Sequence, residues 1–336
     1  MPRRSLPLLL LAAALLAAAL AGCGGPADGS AASGGKAKVN LVAYSTPQEA
    51  YQALIPAFQK TAAGRGVSFT QSYGPSGDQA RAVAAGLPAD VVALSLAPDV
   101  DKLVGPGLVD ASWAKTPTHG FVTDSVVVLT VRKGNPKNIH TWADLVKPGV
   151  QVITPNPFTS GGARWNLMAA YGAQLKEGKS PAQALAFLHT LLQHVPVQDK
   201  SGRDAMQTFT NGKGDVAITY ENEAINARQH GQSVDYVIPD QTILIQNPIA
   251  TTKDASPQAK AFVRWLAKPQ AQKIFASKGY RPVDRSVLDR KRFPTPKQLF
   301  TIDDLGGWDK VNTDFFDPTN GSVAKIEQDL GVSTAK

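Results

Sequence analysis

Short β-prone runs recur along this chain at intervals that leave room for a helix between them, and that alternation restricts the fold more than any other feature. Val39-Asn40-Leu41-Val42-Ala43 reads as a buried strand, and further strands are predicted at Val67 to Gln71, Val91 to Leu94, Val126 to Val131, Val152 to Thr154, Val216 to Tyr220 and Val234 to Ile238. Apolar strands interleaved with helical patterns predict an α/β architecture, with mixed, mainly parallel sheets covered on both faces. Thr46-Pro47-Gln48-Glu49 reads as a capping box with proline at the first helical position, and Tyr51, Leu54, Ile55 and Phe58 follow at helical spacing. Pro56 is expected to break the later turns of that helix. Late helices are predicted around Phe262, Trp265 and Leu266, and at Ile274 and Phe275. The 336 residues, 43% apolar and 18% charged, suffice for two compact lobes or one large α/β body of ordinary soluble composition.

Residues 1–22 read as an export signal. Arg3 and Arg4 precede an apolar run from Leu8 to Leu20, shorter than the ~20 residues of a spanning helix. Leu20-Ala21-Gly22-Cys23 resembles a bacterial lipobox, so Cys23, the sole cysteine, is expected to carry the lipid that anchors the protein to the outer face of the cell membrane. From Gly24 to Ala37 the chain is mostly Gly, Ala and Ser, and residues 23–38 are expected to form a flexible tether. Loss of Arg3 and Arg4 takes the formal charge from +8 to +6. With no Lys/Arg-rich run and no basic–aromatic interleaving, nucleic acid is not an expected partner.

Three segments share one design, in which a strand ends in small residues and a helix begins at once. They are Tyr44-Ser45-Thr46-Pro47, Ser72-Tyr73-Gly74-Pro75-Ser76-Gly77, and Asn156-Pro157-Phe158-Thr159-Ser160-Gly161-Gly162-Ala163-Arg164. A helix start leaves about four N–H groups without intrahelical acceptors and carries roughly half a positive charge, which suits an anion. Ligands of α/β sheets sit outside the carboxyl ends of strands, where all three turns are expected.

Val152-Ile153-Thr154-Pro155-Asn156-Pro157, followed by Thr159 to Asn166, resembles the signature of the sulfate/thiosulfate-binding proteins of bacterial ABC transporters. Further matching stretches are Tyr73 to Gly77, Val131 to Lys137, Glu221-Asn222-Glu223-Ala224, Tyr280-Arg281-Pro282, and Phe300 to Asp303 with Gly306-Gly307-Trp308. The resemblance implies a two-lobed periplasmic-binding-protein fold of type II with a hinge. Lobe I would comprise residues 39–124 plus 242–336, and lobe II residues 125–241, with crossing strands near 123–127 and 242–248. It also implies a receptor, not an enzyme, that captures sulfate and hands it to permease subunits; the alternatives are a receptor for another oxyanion (thiosulfate, molybdate or phosphate) or an exported hydrolase. The protein is expected to be a monomer without cofactor or metal. By the same resemblance, main-chain N–H groups of Ser45, Ser76, Gly161, Gly162 and Gly202 and the hydroxyl of Ser160 bind the anion, while Arg203 braces the site from behind. Relatives have an indole donor in Trp-Glu-Asn-Glu-Ala where this chain has Tyr220-Glu221-Asn222-Glu223-Ala224, so the Tyr220 hydroxyl is expected to supply that hydrogen bond.

Asp78 stands where relatives more often carry a basic side chain. It is read either as a favourable acid in a first helical turn or as an acceptor for a protonated anion such as phosphate. Of Glu221 and Glu223, one is expected to be solvated and the other to cap or brace the hinge. His119, His140, His189, His194 and His230 lack metal-ligand spacing, and Ser160 does not sit in a Gly-x-Ser-x-Gly elbow, which argues against a zinc enzyme and a hydrolase.

Overall fold

The computed structural model describes residues 37–334; the predicted signal, Cys23 and nearly all of the tether lie outside them. Ten strands run β1 Lys38–Tyr44, β2 Ser68–Gly74, β3 Val91–Ala93, β4 Phe121–Arg132, β5 Val152–Ile153, β6 Val216–Tyr220, β7 Val234–Val237, β8 Gln241–Thr251, β9 Arg281–Pro282 and β10 Gln298–Phe300. Between and after them come α1 Gln48–Gln59, α2 Ser76–Ala84, α3 Ala97–Asp101, α4 Gly161–Lys176, α5 Pro181–Gln193, α6 Gly202–Thr210, α7 Glu221–Gln229, α8 Pro257–Leu266, α9 Pro269–Ser277, α10 Gly307–Phe316 and α11 Ser322–Asp329. All seven predicted strands are present within a few residues, as are both late helices.

The sheet is mixed and ordered β2-β1-β3-β8-β4-β6-β5. Pairs β1–β2, β1–β3 and β5–β6 are parallel, joined by helical crossovers. Antiparallel pairing enters through β4 and β8, the two longest strands, which run beside each other from Thr123↔Asn247 to Val126↔Leu244. β8 continues to pair with β3 in one half of the sheet, and β4 continues to pair with β6 and β7 in the other. These two strands therefore carry the chain between halves, each of which has its own apolar core.

In the first half, Tyr51, Leu54, Phe58, Phe262 and Phe275 from α1, α8 and α9 pack on Val39 and Leu41. The second half is built on Val127, Leu129, Trp165, Met168 and Leu188. Val311, Phe315, Phe316 and Val323 join this second core, so α10 and α11 pack on the second half although they follow elements of the first. Tyr171 meets Phe315 edge to face at 4.8 Å, and Trp165 meets Trp308 at 4.7 Å.

Two local expectations are corrected. α1 continues through Pro56 to Gln59, because Pro56 is exposed while Leu54, Ile55 and Phe58 hold the helix on the core. The Thr46…Glu49 capping box does not form: the Glu49 carboxylate instead accepts from Arg203 at 3.2 Å and from Asn226 at 2.7 Å. Among the described residues no helix is long and apolar enough to cross a membrane.

Candidate anion-binding site

One cavity gathers Ser45, Ser76, Ser160, Gly161, Gly162, Gly202 and Tyr220, every direct contact position expected from the sequence. Each sits where a strand or loop gives way to a helix. Ser45 and Thr46 lie between β1 and α1, and Ser76 opens α2 behind Pro75. Ser160 caps α4, whose first residues are Gly161 and Gly162. Ser201 caps α6, which Gly202 opens, and Tyr220 is the residue from which α7 starts. The N–H groups of Ser76, Gly161, Gly162 and Gly202 occupy first-turn positions and so have no intrahelical acceptor. Several helix starts thus point their partial positive ends at one small cavity.

Hydroxyl chemistry around the cavity is partly committed. Ser160 Oγ accepts from the Ala163 N–H at 3.3 Å as an N-cap, which leaves its proton to donate. Ser76 Oγ donates to Asp99 at 2.6 Å and accepts from the Ser95 N–H at 2.9 Å, so its backbone N–H is what remains for the cavity. Tyr220 Oη lies 2.7 Å from Ser95 Oγ, a bond that crosses from one half of the sheet to the other. Burial holds the Tyr220 phenol well above its ordinary pKa, so it stays protonated.

Arg203 lies one residue beyond Gly202, outside the cavity lining. It donates to the Thr46 carbonyl at 2.8 Å, to Glu223 at 3.0 Å and to Glu49 at 3.2 Å, which ties the α6 start to the turn after β1. Asp78 pairs with Arg81 and is not among the cavity-lining residues, which favours the helix-turn reading over contact with an anion. Neither Glu221 nor Glu223 is solvated. Glu221 is fully buried against Arg281, and Glu223 is buried against Arg203. The chain offered only their alternation, and their cations come from 60 and 20 residues away.

Sequence reasoning missed Ser95, Ser201, Asn166 and Thr219 as lining residues. Ser95 had a signal, since Leu94-Ser95-Leu96-Ala97-Pro98 repeats the strand, small residue and helix-start pattern of the other three turns. No carboxylate, ammonium or guanidinium is among the residues lining the cavity, and among the described residues no cluster of His, Cys, Asp and Glu suits a metal ion.

The family model for bacterial extracellular solute-binding proteins matches residues 39–281. A sulfate-binding protein of Synechococcus elongatus is 43% identical over 92% of each chain. A thiosulfate-binding protein of Pseudomonas aeruginosa is 37% identical, covering 87% of this chain and 92% of its own. Among solved structures, the sulfate-binding protein SubI of Mycobacterium tuberculosis is 45% identical and superposes with a TM-score of 0.81, covering 84% of this chain and all of its own.

Proposed function

The chain belongs to the bacterial extracellular solute-binding proteins, and on that premise we propose that it takes up sulfate in the cavity between the two halves and delivers it to the permease of an ABC transporter. Its relatives are binding proteins, and it is a receptor rather than an enzyme. The observation that carries this reading is the convergence of helix starts on a cavity with no ionised side chain in its lining. Sulfate at neutral pH has no proton and offers only acceptors, so N–H groups and donating hydroxyls match it while a facing carboxylate would repel it. A dianion is buried at tolerable cost only when fully hydrogen-bonded, and helix ends spread the compensating charge.

In this reading Ser45, Ser76, Gly161, Gly162 and Gly202 donate from the main chain, Ser160 and Tyr220 donate hydroxyl protons, and Arg203 braces the assembly. The two lobes close on the anion about the β4 and β8 crossings. Residues 39–124 and the segment after 241 begin lobe I and return to it, and residues 125–241 form lobe II; the packing of α10 and α11 supports counting them with lobe II. Titration calorimetry of protein dialysed free of sulfate should give one sulfate site, with thiosulfate the nearest competitor and molybdate and phosphate weaker. Sulfate at a thousandfold excess over its Kd should add ~4 kcal/mol to stability and raise the thermal midpoint by several degrees. Equal shifts in chloride would defeat the reading.

Export by residues 1–22, lipid attachment at Cys23 and action as a membrane-anchored monomer belong to the same proposal. Cys23→Ala should move the protein from the membrane to the soluble fraction with sulfate affinity unchanged. Retention of the signal-cleaved variant on membranes would count against the anchor.

A further inference from the structure

Ser95 has no role in the function proposed above, yet it is among the most firmly held residues at the cavity. Its N–H donates to Ser76 Oγ at 2.9 Å, and its carbonyl accepts from Trp165 Nε1 at 3.0 Å and from Asn247 Nδ2 at 3.3 Å. Fixed on both sides, it is fully buried and carries its hydroxyl to 2.7 Å from Tyr220 Oη.

Two hydroxyls carry two protons, and their mutual bond uses one. Exactly which oxygen accepts does not alter the count: one proton is left, and both hydroxyls line the cavity. An anion that only accepts selects the arrangement in which that proton points at it, and a hydroxyl that is itself accepting a hydrogen bond donates more strongly. We propose that Ser95 is a positioning residue of the anion site, paired with Tyr220 across the cleft so that the two hydroxyls deliver one proton to the bound oxyanion and form their mutual bond only when the halves meet. This rests on the sulfate-receptor reading and assigns to the pair the donor role given there to Tyr220 alone.

The test is the sulfate Kd by calorimetry for wild type, Ser95→Ala, Ser95→Cys, Tyr220→Phe and the Ser95→Ala/Tyr220→Phe double variant, with the sulfate-free thermal midpoint of each. Alanine keeps the Cβ, and cysteine keeps the volume but bonds poorly. Each single variant should weaken sulfate about fivefold to tenfold at nearly unchanged sulfate-free midpoint, and the double variant should lose little more than either single one. Wild-type affinity in Ser95→Ala or in Ser95→Cys overturns the pairing, as does a double variant whose loss is the product of the single losses. A wild-type protein that binds no sulfate overturns the receptor reading itself, and this inference with it.

Discussion

Gly161→Ala should weaken sulfate binding by about a hundredfold or more while leaving the sulfate-free fold in place. A Cβ at Gly161 would stand 2.8 Å from Leu96 Cγ, 2.8 Å from Ser95 Oγ and 2.9 Å from Ser95 Cβ, closer than carbon atoms tolerate. Leu96 and Ser95 follow β3 in the first half, and Gly161 opens α4 in the second, so the clash falls across the cleft. Ser95 cannot yield, because its N–H is bonded to Ser76 and its carbonyl to Asn247 of β8. The strain is relieved by opening the cleft or by shifting the first turn of α4, and either change displaces the Gly161 and Gly162 N–H groups. Overpacking of this kind costs about 1–3 kcal/mol. Hydrogen bonds to a charged ligand contribute about 1.5–3 kcal/mol each, so the sum exceeds the ~2.7 kcal/mol that a hundredfold represents. Gly202→Ala is the control, since its Cβ would meet only Thr46 Cγ2 at 3.4 Å. Calorimetry that finds the two variants equally tight would remove steric closure at Gly161 from the account.

The same contrast shows what the chain makes legible. Gly161 and Gly162 could be read as site residues because strand, small turn and helix start follow one another within a dozen positions, a local pattern fixed by capping and glycine chemistry. The start of α6 could be placed at the site only through the family resemblance, and Ser95 was passed over although its turn has the same design. The difference is distance in sequence. Ser95 meets Tyr220 across 125 positions, and Trp165 meets Ser95 across 70, so neither contact leaves a local trace. Glu49 shows the converse error. Its position three residues after Thr46 favours a capping box, but Arg203 and Asn226 offer it charge-assisted partners from the other half, and the tertiary partners win. The C-terminal motif is a further case. Gly306 and Gly307 adopt positive φ of 96° and 81° to turn the chain into α10, where Trp308 meets Trp165, and Trp165 in turn holds the Ser95 carbonyl. Those glycines serve the site through two successive contacts, Trp308 with Trp165 and Trp165 with Ser95, rather than by touching it.

Arg281→Ala should be among the most destabilising single changes in the chain, lowering stability by about 3–5 kcal/mol. Arg281 donates through Nε to one oxygen of Glu221 at 2.6 Å and through Nη2 to the other at 3.0 Å, and Glu221 is fully buried. Arg281 lies in β9 beside Thr123 and Asp124 of β4, so this pair fastens the start of α7, and with it Tyr220, to the crossing strand. Removing the guanidinium strands a carboxylate without its counter-charge, which costs far more than the net worth of the intact pair. The deficit should depend on pH in a defined sense. Burial already raises the Glu221 pKa and pushes Asp124 up to about 7, and Arg281 holds both down. Without it both folded-state pKa values rise further above their unfolded values. The folded protein then binds more protons than the unfolded chain, and stability falls as pH rises through that window. The variant should therefore lose about 6–10 °C of thermal midpoint at pH 8, for a chain of this size, and distinctly less at pH 5. Adding Glu221→Gln should recover much of the loss at pH 8, because the stranded charge is gone while one hydrogen-bonding amide remains. A midpoint deficit that is the same at both pH values, or that Glu221→Gln leaves untouched, would show that Arg281 acts by packing against Phe293 rather than by neutralising the buried acid.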